Sequence, residues 1–186
     1  MSVESIILIC QTVGMAEKKN PLGRTGETTA ENVKRLRERQ RLTFAELSRI
    51  LDDLGRPIAQ LGLRRIEAGE RRIDVDDLVA LAAALGVSPI TLLMPETSDS
   101  VEKVNVTGFG TVSALEFWQW MRTELPVGLD IMHVTENLEF QWRSKPAWLH
   151  AEVATRGAGE SMSPESIRAL ADEIERRRDT GRGDGQ

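Results

Sequence analysis

The feature that most constrains this chain is a short segment, residues 58–69, that lies between two backbone breaks. Gly55 and Pro57 precede it, and proline fits the first turn of a helix but not its interior. Gly69 ends it, and a glycine just past the last helical residue takes the left-handed conformation that terminates helices without steric cost. The segment is therefore predicted to be a short helix that follows a turn.

The apolar residues of this helix indicate which side faces a core. Leu63 and Ile66 are three positions apart and Ala59 precedes Leu63 by four, so all three share one side. An amide and two guanidinium groups stand on the other side, where they carry the donors and acceptors that contact base edges in a major groove. The pattern indicates a DNA recognition helix, and the alternative is a surface helix with two solvated arginines. The outward residues are Gln60, Leu61, Arg64 and Arg65.

The composition excludes several other classes of protein. A chain of 186 residues with 40% hydrophobic and 28% charged residues is typical of a globular protein with one large or two small domains. No apolar run approaches the roughly 18 residues of a membrane span, and no basic residue precedes the apolar residues 6–10, so a cytoplasmic protein without membrane contact is expected. Cys10 is the only cysteine, and His133 and His150 are isolated, so no disulfide, metal site or cofactor is expected.

The net charge of −5 is unevenly distributed along the chain. Residues 28–73 contain 11 Lys and Arg against 7 Asp and Glu, a net charge of +4. Residues 98–186 contain 10 against 15, a net charge of −5. The first of these segments suits a phosphate backbone and the second does not.

Four further helices are predicted around the central one, so that five helices occupy residues 28–95. The first begins at Thr28 or Thr29 and runs to residue 40. The second, residues 43–54, starts with a capping box of Thr43 and Glu46 and has an apolar stripe. The fourth covers residues 74–86 with acids in its first turn, and the fifth covers residues 88–94. The stripe of the second helix consists of Leu47, Ile50, Leu51 and Leu54.

The segments outside residues 28–95 have weaker patterns. Residues 1–27 are predicted to be a flexible arm, within which Met15 is an alternative natural start. Residues 96–102 are a polar linker, and residues 179–186 are expected to be disordered.

Residues 103–178 are predicted to be a small, mostly helical region. A short strand is expected at Val104, Val106 and Phe109, followed by turn glycines, and Ser113 with Glu116 caps a helix that ends near Glu124. Residues 138–142 fit a strand or a short helix equally, and a last helix begins at residue 163.

Three stretches together resemble the lambda-repressor-like, XRE-type helix-turn-helix family. They are Leu47-Ser48, the run from Leu63 to Gly69, and the run from Leu78 to Ser88. The resemblance covers about 67 residues, and it implies a five-helix DNA-binding domain whose third helix enters the major groove. The Gly-Arg-Pro turn and the Glu-Arg-Arg after the third helix resemble regulators of actinobacteria and their phages.

The resemblance also implies roles for particular residues of this chain. Gln60, Leu61, Arg64 and Arg65 fall on base-contacting positions, and Arg37 with Glu67 falls on an ion pair between helices. Phe44 stands where the family usually has a polar residue, which puts one DNA contact of the second helix in question. The turn is also about five residues longer than the commonest spacing, which brings Arg56 within reach of phosphate. The expected phosphate contacts are Lys34, Thr43, Arg56, Arg71 and Arg72.

No motif in the sequence assembles a nucleophile with a base or a metal with an open position, so no enzymatic activity and no catalytic residue are predicted. The sequence predicts a regulator that binds double-stranded DNA, most simply a repressor, as a homodimer joined through its carboxyl-terminal region. The interface candidates are the face of Leu115, Trp118 and Met121 and the stripe from Ile167 to Ile174. The alternative is an antitoxin-like module whose carboxyl-terminal region binds a protein partner while the DNA-binding domain regulates its own operon.

Overall fold

The computed structural model describes residues 21–153 and Arg176. This part of the chain is mainly helical, as the sequence predicts, and includes one two-stranded antiparallel sheet. The chain divides into two compact units, one that ends at Leu85 and one that begins at Gly86. Each unit has buried residues of its own.

Five helices lie between residues 24 and 93, in the order predicted. The first four belong to the first unit, and the fifth falls beyond the boundary at Leu85. Their bounds are α1 Arg24–Arg39, α2 Phe44–Asp53, α3 Gln60–Glu67, α4 Val75–Ala84 and α5 Pro89–Leu93.

Side chains at the helix ends explain where these helices start and stop. The Thr43 hydroxyl accepts a hydrogen bond from the Glu46 amide at 3.2 Å, and the Glu46 carboxylate accepts one from the Thr43 amide at 2.8 Å. This capping box starts α2 as predicted. Asp74 caps α4 by accepting from the Asp77 amide at 2.7 Å. Gly69 has φ +67°, the left-handed conformation expected after α3.

The core of the first unit is made of aliphatic side chains from all four of its helices and from the turn before α3. These side chains are at most 7% exposed, so their packing fixes how the helices lie against one another. They are Val33, Leu36, Leu47, Leu51, Ile58, Leu63, Ile66, Leu81 and Leu85.

The first helix begins earlier than predicted. Its start is Arg24, with Gly23 in an extended conformation before it, instead of Thr28 or Thr29. Thr29 is buried inside the helix, and its hydroxyl donates to the carbonyl of Thr25 at 2.7 Å. A threonine can satisfy its hydroxyl on the preceding turn as well as cap a helix, which is why the sequence pattern was misleading.

Three apolar residues predicted to face the core lie elsewhere. Ala59 is exposed because it is the N-cap residue of α3, which begins at Gln60. Ile58 is buried in its place, at 2% exposure. Ile50 is only half-buried, and Leu54 is 51% exposed. Leu54 is the C-cap residue of α2, so its side chain no longer follows the buried stripe of the helix.

The second unit contains a β-hairpin followed by a helix. Strand β1 (Lys103–Val106) pairs antiparallel with β2 (Gly110–Ser113). Gly108 and Gly110 adopt φ +90° and +70°, as turn glycines do. Phe109, predicted to continue the first strand, lies in the turn, and β2 has no counterpart in the sequence prediction.

Helix α6 (Ala114–Met121) starts at the second predicted capping box, in which Ser113 and Glu116 exchange hydrogen bonds. It ends before the predicted Glu124, because Thr123 adopts φ +59° and closes the helix. The buried side chains of the hairpin and α6 form one cluster, against which Met94, Trp120, Met121 and Val127 pack. The cluster consists of Val104, Val106, Val112, Ala114 and Phe117.

The ambiguous segment around Leu138 is helical. Helix α7 spans Val134–Ser144 with His133 as N-cap residue. A 3-10 helix follows at Ala147–Leu149. Among the residues that the structure describes, none belongs to a helix with the length and apolarity to span a bilayer.

Several predictions fall outside the described residues. Residues 1–20 contain most of the predicted arm, although residues 24–27 of that arm are helical. Residues 154–175 and 177–186 contain the predicted last helix, its apolar stripe from Ile167 to Ile174, and the predicted disordered tail.

Candidate nucleic-acid interface

Helix α3 has one face in the core and the other in solvent. Leu63 and Ile66 are fully buried and fix the rotation of the helix about its axis. The opposite face is exposed, so the side chains predicted to contact bases all point to solvent. They are Gln60, Leu61, Arg64 and Arg65, and Leu61 is 59% exposed.

The turn before α3 is held to α2 by a hydrogen bond. Ile58 is buried, and its carbonyl oxygen accepts a hydrogen bond from the Ser48 hydroxyl at 2.7 Å. Gly55 has φ +78°, a conformation that glycine adopts without strain, and it lets the chain reverse after α2. These features fix the position of the turn at the start of α3.

Arg37 and Glu67 form a buried ion pair between α1 and the end of α3. Arg37 donates from Nε to Glu67 Oε1 at 2.6 Å and from Nη2 to Oε2 at 2.9 Å, while its Nη1 donates to the Leu42 carbonyl at 2.9 Å. The two side chains are 11% and 6% exposed. The hydrogen bonds that Arg37 donates to Glu67 raise the pKa of Arg37 above its ordinary value. This bidentate geometry ties the carboxyl end of the candidate recognition helix to α1.

A second group of charges, the Asp77 network, consists of Arg56, Arg71, Asp74 and Asp77. The Asp77 side chain is 1% exposed and accepts from Arg56 Nε at 2.8 Å and from Arg71 Nη2 at 2.7 Å. Arg56 also donates from Nη2 to Asp74 at 2.7 Å. The network joins the turn before α3, the loop after it and the start of α4.

The pKa values of the network reflect these contacts. The pKa of Arg56 is raised, mainly by its hydrogen bond to Asp77. The pKa of Asp74 is lowered, mainly because its carboxylate accepts from the Asp77 amide, with the charge of Arg56 adding to the effect. Both shifts favour the charged forms of Arg56 and Asp74.

Gly62 on α3 leaves room for the side chain of Arg71. A Cβ atom at this position would lie 2.7 Å from Arg71 Nη1 and 3.2 Å from Ile58 Cγ2. The absence of a side chain at Gly62 therefore lets the Arg71 guanidinium pass close to α3 on its way to Asp77.

The five residues predicted to contact phosphates differ in how they are already engaged. Arg56 and Arg71 belong to the Asp77 network and are each 38% exposed. The Thr43 hydroxyl donates to Glu46 at 2.7 Å within the capping box. Arg72 donates to the Pro21 carbonyl at 3.0 Å and is exposed, as is Lys34.

Sequence reasoning missed the role of Asp77. Its place in the first turn of α4 suggested only a favourable interaction with the helix dipole, whereas the structure buries its carboxylate against two arginines. A usable signal was the presence of two basic residues, Arg56 and Arg71, on either side of α3, with an acidic cluster after them.

Comparison with known proteins agrees with this geometry. Residues 33–92, which include most of α1 and all of α2–α5, match the family model described as helix-turn-helix. No curated protein and no solved structure matches the chain. Residues 33–92 thus form a helix-turn-helix domain of the XRE type, a class of DNA-binding domain.

Proposed function

We propose that the protein is a sequence-specific transcription regulator, a repressor of the phage or prophage immunity kind that occludes a promoter. The observation that carries the proposal is the orientation of α3. Its buried Leu63 and Ile66 force the amide of Gln60 and the guanidinium groups of Arg64 and Arg65 outward. Such groups hydrogen-bond to base edges in a major groove.

The test compares binding to a selected operator and to random DNA. Duplexes recovered by the full chain from a randomised pool supply the operator. Gln60→Ala and Arg65→Ala should each weaken operator binding by roughly 1–3 kcal/mol and leave binding to random duplexes almost unchanged. Arg143→Ala, an exposed arginine on α7, is the matched control and should change neither. Equal losses on both kinds of DNA would make Gln60 and Arg65 phosphate contacts.

We assign the phosphate contacts to Lys34, Thr43, Arg56, Arg71 and Arg72, with unequal shares. Lys34 and Arg72 have exposed cationic groups that meet phosphate without breaking a carboxylate contact. Arg56 and Arg71 contribute chiefly by positioning α3, because Asp77 already accepts from both.

The salt dependence of binding distinguishes residues that contact phosphate from residues that position α3. A lost phosphate contact lowers the slope of log affinity against log salt by about 1. Lys34→Ala and Arg72→Ala should show that loss. Arg56→Ala and Arg71→Ala should weaken binding while lowering the slope much less, and a full loss of slope would give these two arginines the same role as Lys34 and Arg72.

We propose that the regulator acts as a homodimer joined through its carboxyl-terminal region. One domain of this kind covers about half of a two-fold symmetric site. On α6, Leu115 and Trp118 remain 44% and 36% exposed next to the buried cluster, whereas Met121 packs against that cluster. Leu115 and Trp118 are therefore the part of the predicted face that a second copy would cover.

Sedimentation of the full chain, alone and with a palindromic operator, tests the dimer. Leu115→Glu should yield a monomer with weaker operator binding and an unchanged preference for bases in each half-site. Val101→Glu, at a residue that is 69% exposed and outside α6, is the control and should stay dimeric. A monomeric wild-type protein bound once per site would contradict the dimer and indicate an asymmetric operator.

An antitoxin-like function is the alternative, and exposed apolar residues of the second unit favour it. Ile131, Met132 and Val134 are 72%, 80% and 53% exposed. Such a group suits a protein partner. Purification from the native host would separate the two functions, because an antitoxin carries a stoichiometric small protein and a repressor alone does not.

A further inference from the structure

The ring of Phe44, the first residue of α2, lies against two arginines of the first unit. The Cζ atom of Arg37 is 4.2 Å from the ring centroid, and the Cζ atom of Arg64 is 4.7 Å from it. Both distances are within the range of a cation–π contact, in which the ring quadrupole attracts a guanidinium group. Phe44 thus joins a buried arginine to an exposed one.

The ring itself is firmly placed. The capping box of Thr43 and Glu46 fixes the backbone directly before Phe44. Arg37 is fixed in turn by two hydrogen bonds to Glu67 and one to the carbonyl of Leu42. The ring is also half-buried, so it offers a stable surface beside α3.

Arg64 needs such a surface if it contacts a base. An arginine side chain on a solvent-facing helix surface has large rotamer freedom, and ordering it on DNA costs conformational entropy. A guanidinium group that stacks on a ring through its face keeps its N–H edge for bidentate hydrogen bonds. The contact with Phe44 therefore restricts Arg64 before DNA arrives and leaves its donors available.

We propose that Phe44 is a positioning residue that sets base specificity through Arg64. It holds the guanidinium of Arg64 for a bidentate contact with the O6 and N7 atoms of one guanine, the base that arginine recognises best. The proposal rests on the proposed function, since it requires α3 to enter the major groove. It adds a residue outside α3 to the determinants of sequence preference.

The experiment measures discrimination at one base pair with the full chain. Duplexes recovered by the wild-type protein from a randomised pool are the probes, and Arg64→Ala identifies the base pair at which guanine preference is lost. At that pair, Phe44→Leu should reduce the ratio of guanine to adenine affinity by about two- to fivefold, the range of an exposed cation–π contact. Phe44→Tyr keeps the aromatic face and should retain the ratio.

A double-mutant cycle separates this role from a structural one. In the Arg64→Ala background, Phe44→Leu should cause no further change in the ratio, because the side chain it positions is gone. Effects transmitted through Arg37 would persist in that background. Melting temperatures of all variants verify folding, and Phe44→Met replaces Phe44→Leu if the latter does not fold.

Each other outcome has a defined meaning. A wild-type protein that recovers no preferred duplex contradicts the proposed function itself. If Arg64→Ala lowers affinity at no particular base pair, Arg64 is not a base contact and the positioning role is wrong. If Arg64→Ala has its expected effect while Phe44→Leu leaves the ratio unchanged, or weakens all duplexes equally, the regulator stands and Phe44 only supports the fold.

Discussion

Each of the two compact units is stabilised internally by a different kind of contact. In the first unit, charged hydrogen bonds join residues far apart in the chain: 30 positions separate Arg37 from Glu67, and 21 separate Arg56 from Asp77. In the second unit, the buried cluster of the hairpin and α6 comes from residues 104–117 alone. Apolar burial is non-directional, whereas a bidentate ion pair fixes both distance and orientation.

This difference corresponds to what the proposed function requires of each unit. A DNA-binding domain must hold one short helix at a defined depth and angle, and α3 is fixed by Glu67 at its end and by the Asp77 network on both flanks. A local hairpin and helix need only a small core, and they leave apolar side chains such as Leu115 exposed. Under the proposed function, the directional charge pairs of the first unit would serve recognition as well as stability.

The distribution of tryptophan allows the two units to be followed separately. All four tryptophans, Trp118, Trp120, Trp142 and Trp148, lie in the second unit. Tryptophan fluorescence therefore reports unfolding of the second unit, while far-ultraviolet circular dichroism reports the helices of both. Variants of the first unit should therefore leave the fluorescence transition in place, whereas variants of the second unit should move it.

The largest expected effect follows loss of the buried ion pair. Glu67→Ala leaves the Arg37 guanidinium buried without its carboxylate, which should destabilise the first unit by roughly 3–5 kcal/mol. Urea unfolding followed by circular dichroism should show the loss, and the fluorescence transition should stay in place. The control is Glu70→Ala, an exposed acid three residues away, which should cost less than about 0.5 kcal/mol. Unchanged unfolding together with weaker DNA binding would instead make Glu67 a DNA contact.

The counterpart in the second unit is Phe117, which is 2% exposed at the centre of the cluster. Phe117→Ala should destabilise this unit by roughly 3 kcal/mol, through lost burial and the cavity left behind. Here the fluorescence transition should move, while the base preference in each half-site should persist. A matched change at Phe109, which is 39% exposed in the hairpin turn, should have a much smaller effect. If base preference vanished with Phe117→Ala, recognition would depend on the second unit after all.

An intermediate effect is expected in the Asp77 network. Asp77→Asn removes the charge that Arg56 and Arg71 share, and an amide oxygen cannot serve both guanidinium groups as well. The change should cost about 1–3 kcal/mol in the first unit and weaken operator binding, because the turn before α3 and the loop after it loosen together. Asp76→Asn is the matched control, since Asp76 is 82% exposed and lies 3.9 Å from Arg56. Equal effects of the two substitutions would contradict the special role of Asp77.

The contrast between local and long-range contacts also determines how much of the structure could be predicted from the sequence. Local patterns predicted the capping boxes at Thr43 and Ser113, the end of α3 at Gly69 and the exposed face of α3, because each depends on neighbours within about one turn. The resemblance to XRE-type domains added the Arg37–Glu67 pair, which local pattern alone does not indicate. The partners of Asp77 lie in the turn before α3 and the loop after it, so the residues within one turn of Asp77 did not indicate its burial.

The second unit was harder to predict from the sequence for the same reason. Its strand β2 is four residues long and has only Val112 buried, so it lacks the alternation that predicts a strand. Residues 138–142 alternate as a strand does, yet they lie in α7, where Leu138 is buried and Phe140 and Trp142 are half-buried. Short apolar patterns fit both periods, and tertiary packing decides between them.

The smallest expected effect compares the two capping boxes, one in each unit. The pKa of Glu46 is lowered by its hydrogen bonds from the Thr43 amide and hydroxyl, and the pKa of Glu116 is lowered by those from the Ser113 hydroxyl and amide. A carboxyl group whose pKa is lower in the folded protein stabilises the fold above its unfolded pKa, and this contribution is lost as the pH falls through the folded value. Both units should therefore lose stability as the pH falls below about 5. Glutamine can still accept at both positions without titrating, so Glu46→Gln should flatten the pH dependence of the circular dichroism transition and Glu116→Gln that of the fluorescence transition. Urea midpoints at about pH 7 and about pH 4 would measure this, and a fluorescence transition moved by Glu46→Gln would show that the two units do not unfold separately.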